Sequence, residues 1–103
     1  MSNQFQPSPT CVAVHVSACG GFQAHWLPYG QTKFYSPLLV DTRNGDLFRA
    51  VIPHDLRSVA FVPAQARAPR TSPFARRIND IESGAYGPEH LLAEFAAFVG
   101  GAA

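Results

Sequence analysis

The stretch Cys11-Val12-Ala13-Val14-His15-Val16-Ser17-Ala18-Cys19-Gly20-Gly21-Phe22-Gln23-Ala24-His25-Trp26 decides the fold. Its first half alternates with period two. Val12, Val14, Val16 and Ala18 share one side; Cys11, Ala13, His15, Ser17 and Cys19 share the other. That is the pattern of a β-strand, with the valine side expected to face a core. After Gly20-Gly21, residues 22–26 alternate again, so the two runs read as a hairpin. The loop length follows from parity. A two-residue Gly-Gly loop would set Phe22 and Trp26 opposite Cys19 and His15, on the wrong face. A three-residue loop, Cys19-Gly20-Gly21, pairs Ala18 with Phe22, Val16 with Ala24 and Val14 with Trp26, and the apolar faces coincide. This register also pairs His15 with His25.

Outward from the hairpin, Pro28-Tyr29-Gly30 breaks the second strand. Residues 34–41 read as a third strand and 47–52 as a fourth. Asn44-Gly45 between them is a strong hairpin signal, with Arg43 and Asp46 expected to face each other across it. Residues 58–62 read as a short fifth strand closed by Pro63. Residues 63–72 read as a linker. Thr71 or Ser72 can cap a helix with Pro73 in its first turn. Phe74, Ile78 and Ile81 then form its apolar stripe, and Gly84 ends it. A second helix starts at Pro88, carries Leu91, Leu92, Phe95, Phe98 and Val99 on one broad face, and stops at Gly100. The order of about five strands and then two helices gives an α+β class: a small antiparallel sheet or half-open barrel followed by two C-terminal helices. Residues 1–10 read as a flexible arm, and 11–103 as one α+β domain with the sheet in 11–62, the linker in 63–72 and the helices in 73–99.

The 103 residues suit one domain, with a real but small core. Hydrophobic residues make up 47% and charged residues 15%, so much of the surface is neutral and open to contact with another chain. The net charge of +1 hides a sorted layout. No ionic residue precedes Lys33. Arg57, Arg67, Arg70, Arg76 and Arg77 fall in a block without acids, and Asp80, Glu82, Glu89 and Glu94 in a block without Lys or Arg. The arginine block suits phosphates; the acidic block can also satisfy it internally. No cationic start followed by an apolar run marks a signal peptide, and no apolar stretch reaches a membrane span. A cytoplasmic protein with reduced Cys11 and Cys19 is the expectation.

Chemistry-bearing motifs are sparse. His15 and His25, paired across the hairpin, are candidate metal ligands, with a third from His54 or Asp55. Cys11 and Cys19 on one extended strand are too far apart for a disulfide. No nucleophile elbow or phosphate-cradling glycine loop occurs. The run Ile78-Asn79-Asp80-Ile81-Glu82-Ser83-Gly84-Ala85-Tyr86-Gly87-Pro88 resembles the end of the recognition helix and the following turn in repressor-type helix-turn-helix domains. The prolines between Val59 and Ser72 leave no room for the two helices that precede it there, so a capped helical hairpin is the expectation. The function expected is a non-catalytic binding or regulatory module, without cofactor, acting through protein contacts as a homodimer. Arg67, Arg70, Arg76, Arg77, Phe95 and Phe98 are its expected partner-binding residues. The alternatives are nucleic-acid binding through the arginine-rich segment 57–77, and metal binding by His15 and His25.

Overall fold

The computed structural model describes residues 9–54, 58–67 and 70–100. The expected arm falls mostly, and Arg57 wholly, outside the described residues. The strands are β1 (Ala13–Val16), β2 (Phe22–Pro28), β3 (Phe34–Asp41), β4 (Asp46–Pro53), β5 (Ala60–Pro63), β6 (Thr71–Pro73) and β7 (Arg76–Arg77); the helices are α1 (Ile78–Ser83) and α2 (Pro88–Gly100). The first five strands form an antiparallel sheet in sequence order, open rather than closed, and the helices follow it. The class is α+β, as the element order implies.

The sheet forks. β3 and β4 pair only near their hairpin, from Leu38↔Arg49 to Asp41↔Asp46. Beyond that point they part, and residues 71–77 enter the gap. Thr71–Pro73 pairs with β4, while Arg76 and Arg77 pair with Tyr35 and Phe34 of β3. Phe74 joins both sides: its N–H donates to the Ala50 carbonyl at 3.0 Å, and its carbonyl accepts from Ser36 Oγ at 2.9 Å. The helix expected from Pro73 is therefore replaced at its start by an extended segment. Backbone groups in that gap would otherwise face buried, unpaired partners, and satisfying them outweighs a helical propensity of tenths of a kcal/mol per residue. The helix keeps only residues 78–83, and its predicted stop holds. Gly84 adopts φ 69°, a left-handed conformation that suits glycine, and its N–H donates to the Asp80 carbonyl. With strands rather than helices leading into it, α1 has none of the framework of a helix-turn-helix.

One face of the sheet packs on the helices. Phe22, Ala24 and Trp26 of β2, Leu39, Ala50, Phe61 and Phe74 meet Ile81, Leu91, Leu92 and Phe95, with Ala13 of β1 packed against them. Phe95 lies at the centre, with ring centroids 5.2–5.6 Å from Phe22, Phe48 and Phe61.

The first hairpin departs from the expected register by one residue. Ala13 pairs with Trp26, Val14 with His25, His15 with Ala24 and Val16 with Gln23. The loop takes four residues, 18–21, closed by Ser17 N–H to the Phe22 carbonyl at 2.9 Å. Ser17 Oγ accepts from Phe22 N–H, and Gly20 turns with φ 78°. Because side chains alternate, the slip moves the whole set to the other face. Val12, Val14 and Val16 point away from the core and are 42%, 37% and 54% exposed. The reason lies beneath β1. Trp26 is fully buried, and its indole N–H donates to His15 Nδ1 at 3.1 Å; the Tyr86 hydroxyl reaches the same nitrogen at 3.0 Å. A valine there would leave the buried Trp26 N–H without its acceptor, at about 1–3 kcal/mol, and would take this partner from the Tyr86 hydroxyl. That offsets the roughly 1 kcal/mol returned by burying the exposed part of each valine.

The second hairpin also differs from expectation. Arg43 does not face Asp46; Asp46 pairs with Asp41. Arg43 folds back onto Asp41, donating through Nε and Nη2 at 3.0 Å each and through its backbone N–H. Asp41 is buried, so its carboxylate requires these donors.

Candidate protein-interaction surface

Two faces of the sheet give two environments. On the helix face, His15 is a hydrogen-bonded part of an aromatic box. Its ring lies 5.9 Å from Trp26 and 6.1 Å from Tyr86 between centroids. Nδ1 accepts from Trp26, so Nε2 carries the proton of the neutral ring. Burial lowers the His15 pKa, opposed by a hydrogen bond with the Ile81 backbone and by Glu89. Burial also pushes the Tyr86 phenol well up. The box is neutral and satisfied.

On the opposite face the registers set residues in rows. Val16, Gln23, Val40 and Leu47 form one row across β1 to β4; Val14, His25, Leu38, Arg49 and Val62 form the next. The middle of this face is covered: His25, Val40 and Val51 are buried. His25 Nε2 meets Gln23 Oε1 at 2.7 Å, and burial lowers its pKa. The β1 margin is open, with three exposed valines. An apolar groove of about 250 Å³ lies near the fork, lined by Leu27, Pro28, Tyr29, Pro37, Leu38 and Arg49. A cleft of about 320 Å³ lies between β1 and α2, with Val16, Ala18, Cys19, Leu92, Ala93 and Ala96 in its walls.

The expected histidine pair is not formed. His15 and His25 occupy adjacent rows and opposite faces, so they cannot ligate one ion together. No group of three metal-ligating side chains occurs among the described residues. The expected partner residues scatter. Phe95 is fully buried and cannot meet a partner; its position on the helix stripe did not distinguish the centre of the core from its rim. Phe98 is 46% exposed and packs on Phe48 and Phe61 at 5.5 Å. Arg67 and Arg70 are exposed, and Arg70 adopts φ 59° while its carbonyl accepts from His54 N–H. Arg76 lies 4.2 Å over Phe74 and 5.6 Å over Tyr86, and Arg77 lies 5.5 Å over Phe34. Among the described residues the Arg43–Asp41 ion pair and the His90–Glu94 side-chain contact involve neither. Phe98 and the Arg76–Arg77 pair thus rest on different neighbours and form no single patch.

Cys19 was missed as a chemically distinct thiol. It is exposed, and its pKa is lowered by the Ser17 hydroxyl first, then by the backbone N–H of Gly21 and by Arg43. Cys11 is half-buried and donates to the Ala13 carbonyl. The exposed valine margin was missed too. The signal available for it was Ser17, a hydroxyl able to take the Phe22 N–H and lengthen the loop by one residue.

No protein-family model, curated protein or solved structure matches this chain. Among the described residues no helix is long and apolar enough to cross a membrane.

Proposed function

We infer that this protein is a non-catalytic binding module that works through protein contacts, with the outer margin of β1 as its contact surface. The observation carrying this reading is the exposure of Val14 and Val16 on the uncharged edge strand β1, with Val12 exposed just before it. Edge strands in isolated domains are ordinarily guarded by charge, proline or a covering element. Here no ionic residue precedes Lys33. Exposed apolar clusters of this kind mark interaction sites.

The test is a shift-perturbation map of the isotope-labelled protein, taken on concentrating it and on adding cell extract. Amide signals of residues 12–17 shift, while those of β5 and α1 stay fixed. An unchanged spectrum under both conditions removes the reading.

A second reading has its own observation. Arg76 and Arg77 lie on Phe74, Tyr86 and Phe34, beside Lys33, and have no ion pair with a described residue. Stacked guanidinium groups next to an exposed ring suit single-stranded nucleic acid. That reading requires binding of an oligonucleotide that weakens steeply with salt and is lost in Arg77→Ala. Binding that is absent or independent of salt removes it.

A further inference from the structure

We propose that the occupant of the β1 margin is a second copy of this chain, joined edge to edge so that two sheets become one. The inference rests on the protein-contact reading and names its partner.

The backbone of β1 states what fits. Ser17 N–H bonds the Phe22 carbonyl, so residues 13, 15 and 17 turn their peptide groups toward β2. Val14 and Val16 therefore turn theirs to the open side. Among the described residues β1 has no strand neighbour there. A row of alternating donors and acceptors is matched by another strand. β1 matches itself. Antiparallel pairing about a two-fold axis centred on His15 joins Val14 of each copy to Val16 of the other; an axis at Val14 would instead call on Val12, whose N–H is already bonded to the Trp26 carbonyl. In the His15-centred register the valines of the two copies lie on one face, side chain against side chain.

Charge favours the same occupant. Two copies of a segment bearing no ionic residue meet without like-charge repulsion. The opposite edge of the sheet is less suited, because β5 ends in Pro63, which has no N–H to offer a further strand. Behind β1, the cleft against α2 is lined by Ala18, Ala93 and Ala96, whose small side chains permit close approach by the other copy, and by one acid, Glu89. A four-residue strand covers less than the roughly 800 Å² per partner of a standard interface, so the dimer is weak and depends on concentration.

The experiment combines sedimentation with amide hydrogen exchange on the full chain, from low micromolar to millimolar concentration. The expected result is a monomer–dimer equilibrium. Exchange at Val14 and Val16 is fast in dilute protein and slows in step with the dimer fraction. Val16→Lys, at the most exposed of the three positions, weakens the dimer by at least about tenfold, with the melting temperature of dilute protein unchanged. Three results overturn the proposal. In the first, the protein stays monomeric with fast exchange at both amides. In the second, it stays monomeric with both amides protected at every dilution, so that the chain covers its own edge. In the third, a dimer forms that Val16→Lys leaves intact, and the copies meet elsewhere. The first two leave the protein-contact reading to be judged by the cell-extract spectrum alone; the third keeps that reading and moves its surface.

Discussion

His15 holds a position where only a small set of side chains would serve. Two neighbours, Trp26 Nε1–H and the Tyr86 hydroxyl, converge on Nδ1. A proton on that nitrogen would oppose the indole N–H, which cannot accept. Desolvation acts in the same direction and lowers the pKa. His25, buried between Val14 and Leu38, is lowered by burial as well. In the unfolded chain both rings titrate near the ordinary value of about 6.5. The unfolded state then binds more protons below that pH, so stability from both rings is present above it and is lost as pH falls toward the depressed native values. Urea midpoints measured from pH 7.5 down to pH 5 are expected to fall, and to fall less in His15→Gln than in the parent. Equal slopes would deny His15 this part. Asp41 acts at lower pH. Arg43 holds its carboxyl below the usual range, so its contribution is present above about pH 4 and is lost below it. Asp41→Asn is expected to cost about 1–2 kcal/mol at neutral pH, measured by denaturant titration. Cys19 is expected to react with iodoacetamide well before Cys11, as peptide mapping after brief labelling would read, because its thiol is exposed and favoured as thiolate.

At the scale of elements, period-two patterning located the strands well and gave the core face of β2, Phe22, Ala24 and Trp26, but not that of β1. β3 spans the expected residues 34–41, and β2 ends where Pro28 was expected to break it. α2 also follows its stripe from Pro88 to Gly100. The orientation of β1 was not legible, because alternation gives two faces and leaves the choice to the loop. A side chain on another element, Tyr86, weighed in that choice, and no local pattern reports it. Residues 71–77 failed for a related reason. The 3.6-residue spacing of Phe74, Ile78 and Ile81 is real, and Phe74 and Ile81 are both buried. Yet Phe74 is buried from the link between β6 and β7, in a gap that exists only once β3 and β4 diverge. The register can be checked by stability. Val14→Thr and Val16→Thr in dilute protein are expected to change unfolding free energy by no more than about 0.5 kcal/mol. Losses of 2 kcal/mol or more would return the valines to the core, as roughly expected for a buried hydroxyl.

At the scale of the molecule, one core and one open margin divide the apolar residues. Phe95 is the contact between α2 and three strands, and Phe95→Ala is expected to cost about 3–5 kcal/mol by chemical denaturation. Phe98, half-exposed on the same helix, should cost much less. The sorting of charge was plain in the sequence, but its consequence was not. Its informative part is the ion-free stretch before Lys33, which leaves one sheet edge without electrostatic protection, while Arg76 and Arg77 rest on aromatic rings. The central claim, that the valine side of β1 faces outward and exists to be covered by another chain, has a direct measurement: broadening of valine methyl signals by a soluble paramagnetic agent. In dilute protein, Val12, Val14 and Val16 should broaden strongly while Val40 and Val51 stay sharp, and concentrating the protein should shield the first three. Sharp signals from those three in dilute protein, or broadening that no concentration relieves, would contradict the account.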